Sequence, residues 1–172
     1  MDLRNIIRNI PDFPVKGIQF KDISTLLKDK DAYRYAIDQI TRHCENLKID
    51  FIAGIEARGF IIGAPVAYNL GVGFIPIRKE GRLPYQVEKI TYQLEYGESV
   101  LEIHKDAFQK GSRIMVIDDL LATGGTTLAA FKLIEKLEGI VAGADFIIEL
   151  EMLNGRGKLK GYEIFSLIKY NI

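Results

Sequence analysis

The chain has 172 residues, 48% of them hydrophobic and 27% charged, and its 23 basic and 23 acidic side chains cancel to a formal net charge of zero. That length suits one domain with a proper core, and the charge balance argues against a general nucleic-acid binder, which is usually basic. The single cysteine, Cys44, excludes an intrachain disulfide and suits a reducing compartment. MDLRNIIRNI lacks the apolar core of a signal peptide, and no apolar run approaches the roughly 20 residues that cross a bilayer. A soluble cytoplasmic protein with no membrane partner is expected.

The opening DLRNIIRNI is a short amphipathic stretch that Pro11 and Pro14 cut off. Residues 31–48 carry Tyr33, Ala36, Ile37, Ile40, Cys44 and Leu47 at three- to four-residue intervals, the pattern of a one-sided helix. DFIAGI (50–55) reads as a buried strand, EARG breaks it, and FIIGAPVAYNLG reads as a helix ending at Gly71. FIPIR (74–78) is a strand, and the polar KEGRLPYQ (79–86), with Gly81 and Pro84, is a loop. KITYQLEYG and SVLEIHK are strands around a turn at 96–98. RIMVID is a strand, TTLAAFKLIEKLEG a helix, AGADFIIELEML a strand and IFSLIKY the last strand. This alternation predicts βαβ units: an α/β fold whose central, mostly parallel sheet is flanked by helices, with an antiparallel excursion near residue 97. Ligands of open α/β sheets bind beyond the carboxyl ends of strands, where residues 55–59 and 118–127 fall.

The stretch VIDDLLATGGTT (116–127) joins two chemistries. Gly124 and Gly125 let backbone N–H groups converge, Thr123, Thr126 and Thr127 add hydroxyls, and the next helix offers its unpaired N–H groups; together these attract a phosphate. Asp118 and Asp119 accept hydrogen bonds only, so they suit the vicinal hydroxyls of a ribose, or Mg²⁺ directly or through water. A ribose 5-phosphate fits both halves; the bland alternative is an acidic helix-capping loop with no ligand. The loop is not a Walker A motif: GIEARGF has glycines at that spacing, but Phe60 stands where lysine is required. Nor is GVGFIP a dinucleotide fingerprint, since Pro76 ends it.

Two acids, two apolar residues and ATGGT at a strand end resemble the phosphoribosyl-pyrophosphate (PRPP) motif of type I phosphoribosyltransferases. Nearly the full length takes part: IPDFPVKGIQFKDIS, GIEARGF, IRKEGRLP, LEYG and VIDDLLATGGTT resemble, in order and approximate spacing, those of the adenine-specific branch. Ala122 stands where hypoxanthine-guanine enzymes carry an aspartate, and Asp119 where uracil enzymes carry proline. The chain is too short for the repressor version of the fold with its DNA-binding extension. The resemblance implies the type I phosphoribosyltransferase fold as one domain, 1–172, with a small hood over about 1–30 and a flexible flap over about 79–95. It implies Mg²⁺-dependent transfer of ribose 5-phosphate from PRPP to N9 of adenine, giving AMP and pyrophosphate in purine salvage, by a homodimer. The 60–70 region is either a subunit contact or core.

Site residues follow from the same resemblance. Asp118, Asp119, Ala122, Thr123, Gly124, Gly125, Thr126 and Thr127 would hold the 5-phosphate and ribose. Glu56, Ala57 and Arg58 form the pyrophosphate loop, with a cis peptide expected at Glu56–Ala57; Arg78, Lys79 and Arg82 would also face pyrophosphate, although lysine is familiar where Arg82 stands. Leu83, Pro84, Tyr85 and Tyr96 belong to the flap. Gln19 and Lys21 would read the adenine edge through their backbone, and Phe20 would stack on its face. Lys16 replaces a frequent proline before Gly17. Glu95 is the expected acid near adenine N7, acting with Asp118 and Asp119 in catalysis; Mg²⁺ would be held mainly by PRPP and water, or by Asp118 or Asp119. Cys44 reads as a core thiol, His43 as a surface residue and His104 as a strand-end residue without an acid partner; no structural zinc is expected. Transfer to another base, and a PRPP-sensing regulator without transfer, are the alternatives.

Overall fold

In the runs Ile52–Ile55, Ile114–Ile117 and Gly143–Glu149 every residue is buried, so both faces of these strands must be covered. The computed structural model, which describes residues 1–93 and 97–171, shows how. Its strands are β1 (Arg8–Pro11), β2 (Gln19–Asp22), β3 (Phe51–Ile55), β4 (Gly73–Lys79), β5 (Val87–Gln93), β6 (Glu98–His104), β7 (Arg113–Leu121), β8 (Ile140–Leu150) and β9 (Ile164–Tyr170). Its helices are α1 (Ser24–Lys28), α2 (Lys30–Cys44), α3 (Arg58–Leu70), α4 (Gly125–Lys136) and α5 (Gly155–Lys158). Seven strands form one sheet in the order β5-β6-β4-β3-β7-β8-β9. The β4 to β9 portion is parallel, and β5 and β6 are the antiparallel excursion. β1 and β2 make a separate antiparallel ribbon where the hood is expected.

Alternation within the strands decides which layer each side chain joins. Ile52, Met115 and Ile117 pack with Leu26, Ile37, Ile40, Ile62 and Val66 of α1, α2 and α3. Their neighbours Ala53, Ile114 and Val116 face the other way, with Phe131, Leu133 and Ile134 of α4 and Leu101 and Ile103 of β6. Helix α3 contributes Ile62, Val66 and Ala67 to the core, as one reading of the 60–70 region had it, and leaves Ile61 and Tyr68 exposed.

Several boundaries differ from expectation. Helix α2 starts where the Asp29 carboxylate accepts from the N–H groups of Asp31 and Ala32, both at 3.0 Å, and it stops at Cys44 rather than 48. Lys48, at φ 50°, has left the helix. Strand β7 runs on to Leu121 because β8 continues alongside it, pairing Leu120 with Ile148 and Leu121 with Glu149. Strand β8 ends at Leu150, and 151–153 form a 3₁₀ turn. The opening segment is a 3₁₀ turn capped by Asp2, followed directly by β1.

His43 is the clearest correction. It is half-buried, not a surface residue: Nδ1 lies 3.0 Å from Asp145 Oδ2, and its ring stacks on Phe165 at 4.3 Å. Cys44 is buried, as its place on the apolar face implied.

Candidate active site

The carboxyl ends of β3 and β7 lie side by side, and the site is built between them. The chain leaves β3 through Glu56–Ala57, a cis peptide as expected, and turns into α3. A methyl group on Gly59 would lie 2.6 Å from the carbonyl oxygen of Ile117, so only glycine lets the first turn of α3 pack this closely on β7. That approach brings Arg58 Nε to 2.5 Å from Asp119 Oδ2. Arg58 is therefore paired with a carboxylate of the neighbouring motif.

Asp119 is 4% exposed, and Asp118 is half-buried. The Oδ1 atom of Asp118 accepts from the Asp119 N–H at 2.9 Å. Burial first, and the Asp119 charge second, push the Asp118 carboxyl well above its ordinary range; the Asp119 N–H and Arg58 act against this. Two carboxylates this close favour a positive or hydrogen-donating ligand.

Beyond them the chain turns at Gly124, φ 79°, into α4, which begins at Gly125 without any side-chain cap. Its first-turn N–H groups are therefore directed at whatever lies before the helix. Arg58, Asp118–Leu120 and Ala122–Thr127 line one cavity of about 190 Å³. A larger depression of about 910 Å³ is lined by Asp50, Phe51 and 106–112, none of them a residue the sequence singles out.

Of the other expected residues, none but Arg58 joins the acid–glycine loop in lining this cavity. Arg78 Nε donates to Glu56 Oε2 at 2.7 Å, and its Nη1 donates to the Arg82 carbonyl at 3.1 Å. Lys79, Arg82, Pro84 and Tyr85 are exposed, and Leu83 is half-buried. The Tyr85 ring meets His104 edge-on at 6.3 Å. On β2, Gln19 accepts from Asn9 at 2.6 Å and Lys21 donates to Asn9 at 3.0 Å, while Phe20 meets Phe13 edge-on at 5.1 Å. None of these three lines the cavity. Glu95 and Tyr96 lie outside the described residues.

The profile of the phosphoribosyl transferase domain matches residues 21–144. The adenine phosphoribosyltransferase of Clostridium kluyveri is 56% identical over 172 residues, covering 100% of both chains. The chain belongs to the adenine phosphoribosyltransferases. The crystal structure of adenine phosphoribosyltransferase from Thermoanaerobacter pseudethanolicus superposes with a TM-score of 0.95 at 54% identity over 98% of each chain. That of Saccharomyces cerevisiae, complexed with an imino-altritol bisphosphate and adenine, gives 0.93 at 40% identity over 97% of each.

Parts of this phosphoribosyltransferase site escape sequence reasoning. Leu120 lines the cavity, and the Thr126 hydroxyl donates to Tyr92 Oη of β5 at 3.4 Å. Glu102 of β6 is 1% exposed, and its Oε1 accepts from the N–H groups of Arg82 and Leu83 at 2.9 and 2.8 Å. Burial pushes the Glu102 carboxyl up, but the N–H groups of Leu83, Gly81 and Arg82, with Lys89, outweigh it and leave it below an ordinary glutamate. The one available signal was an acid between two apolar residues, Leu101 and Ile103, on a strand buried on both faces. Glu102→Ala should leave those donors unpaired, at roughly 1–3 kcal/mol each, and Glu102→Gln should restore part of the loss. Urea unfolding checks this; an unchanged midpoint in Glu102→Ala would refute the anchoring role. Because the folded pKa is depressed, this stabilisation is present at neutral pH and is lost as pH falls through the folded pKa.

Proposed function

We propose that this chain transfers ribose 5-phosphate from PRPP to N9 of adenine, releasing AMP and pyrophosphate. The reading extends to Mg²⁺ dependence, purine salvage in the cytoplasm, and a homodimer of single 172-residue domains with a hood over 1–30 and a flap over 79–95. The observation that carries it is one cavity holding two carboxylates beside the uncapped amino end of α4. A ligand with a phosphate at one end and vicinal hydroxyls next to it matches that pairing. No helix of the described residues is long and apolar enough to cross a membrane.

In this reading the N–H groups and hydroxyls of 123–127 take the 5-phosphate, and Asp118 and Asp119 take the ribose hydroxyls. As the bond from C1 to pyrophosphate breaks, the sugar gains positive charge, which the two carboxylates stabilise from a preorganised position. Adenine N9 attacks the opposite face and inverts C1. Arg58, Arg78, Lys79 and Arg82 take the departing pyrophosphate. Leu83, Pro84, Tyr85 and Tyr96 close over it and exclude water. Gln19, Phe20 and Lys21 hold the base, and Glu95 serves its N7 side. The hard oxygen donors of Asp118 and Asp119, in a pair that favours a positive neighbour, fit Mg²⁺. When bound, the ion neutralises pyrophosphate charge.

The test is product formation from PRPP and Mg²⁺ with adenine, hypoxanthine, guanine, xanthine and uracil in turn. AMP from adenine alone is expected, with Glu95→Gln lowering kcat by about 10²–10⁴. Transfer to another base would overturn the base assignment. PRPP binding without any product would make the chain a regulator.

A further inference from the structure

We propose that His43, Cys44 and Asp145 form a second cation site, for a dication of the zinc class, sharing no residue with the PRPP cavity. His43 and Cys44 are the last two residues of α2, and Asp145 sits inside β8. The sequence offered no partner at ligand spacing because the third donor comes from a strand about a hundred residues onward.

The donor atoms already converge. His43 Nδ1 lies 3.0 Å and Cys44 Sγ 3.4 Å from Asp145 Oδ2, and the three ligand atoms lie within 4.8 Å of one another. A tetrahedral ion with bonds of about 2.0 Å to N and O and about 2.3 Å to S sets ligand edges of about 3.3–3.6 Å. The two edges to Asp145 Oδ2 are close to these values, and side-chain rotation must bring His43 Nδ1 and Cys44 Sγ to the third.

An independent sign is the other oxygen of the same carboxylate. Asp145 is 0% exposed, and its Oδ1 has no hydrogen-bond partner among the described residues. Buried polar atoms are nearly always satisfied. A dication engaged by both oxygens of Asp145 would give Oδ1 its partner.

The surroundings suit a ligating imidazole. The His43 ring stacks on Phe165 with an interplanar angle of 10°, which fixes its orientation. Its Nδ1 faces Asp145 Oδ2 at 3.0 Å and its Nε2 lies 4.0 Å from Glu163 Oε1, so an ion at Nδ1 displaces the proton shared with Asp145 while Nε2 keeps its own toward Glu163. As the sulfur–metal bond forms, the thiol proton leaves to solvent. One thiolate and one carboxylate then cancel the dication, leaving a neutral buried centre. The N, S and O donor set selects a borderline ion over Mg²⁺. The fourth position falls to water on the His43 side, where that side chain is 21% exposed.

The experiment is a Co²⁺ titration of the metal-free full chain without PRPP. One equivalent should produce a near-ultraviolet thiolate-to-cobalt band, abolished by Zn²⁺ and untouched by excess Mg²⁺. Cys44 is the chain's one cysteine, so the unmodified protein alone assigns the band. Cys44→Ser should remove it, and Asp145→Asn should weaken Zn²⁺ binding by about 10-fold or more. Zn²⁺ should raise Tm in the unmodified chain and not in Cys44→Ser. Absence of the thiolate band in the unmodified chain overturns the proposal.

Discussion

Asp119→Asn is expected to lower kcat/KM for PRPP by about 10²–10³, the loss seen when one preorganised group leaves a developing charge. Asp119 is 4% exposed and shares its carboxylate with Arg58. The amide keeps the shape but removes the charge, so Arg58 loses its partner and the sugar cation loses one of its two stabilisers. The Asp119 charge is also the second cause holding Asp118 up, so Asp118 should become more acidic in the variant. Steady-state kinetics with PRPP varied separates the effects. A fall in kcat reports the cation, and a rise in KM reports the hydroxyls. A change in kcat/KM below about threefold would remove Asp119 from the mechanism, since it is far below the expected loss.

Gly124→Ala should be the most damaging single methyl in the loop. Two separate effects meet there. Gly124 has φ 79°, a conformation that costs a non-glycine residue roughly 1–2 kcal/mol. Its added carbon would also lie 2.6 Å from the carbonyl oxygen of Gly155, and that contact is backbone against backbone. The loop must then shift, moving the N–H groups of 125–127. We expect a loss of about 2–4 kcal/mol in stability or an equivalent loss of PRPP affinity. Gly71→Ala is the control, because Gly71 has φ 68° with open space around it. Urea unfolding and PRPP binding on both variants decide the matter. Equal losses in the two would show that the Gly155 contact plays no part.

The strand and helix order was legible because apolar periodicity acts locally, residue by residue. The extent of β7 was not, because its last three residues are held by the neighbouring β8 rather than by their own preference. The acid–glycine loop was legible as one convergent cluster because all its parts lie within twelve residues. Arg58–Asp119, Arg82–Glu102 and His43–Asp145 were not, since each joins residues brought together by the sheet order. Glu102 shows the limit most plainly: its role depends on backbone donors of a loop about twenty residues earlier, and no spacing announces that.

The ion pairs at the site have a consequence for the order of events. Arg58 and Arg78 each hold a carboxylate, Asp119 and Glu56 respectively. On the proposed roles, pyrophosphate draws Arg58 away, and that same exchange frees Asp119 for the ribose hydroxyls. Recognition of the two halves of PRPP is then reciprocal, each strengthening the other by the same free energy. On the same roles, a ribose 5-phosphate lacking the pyrophosphate would meet Asp119 still engaged, and the site would distinguish the activated sugar from its spent form before any chemistry begins.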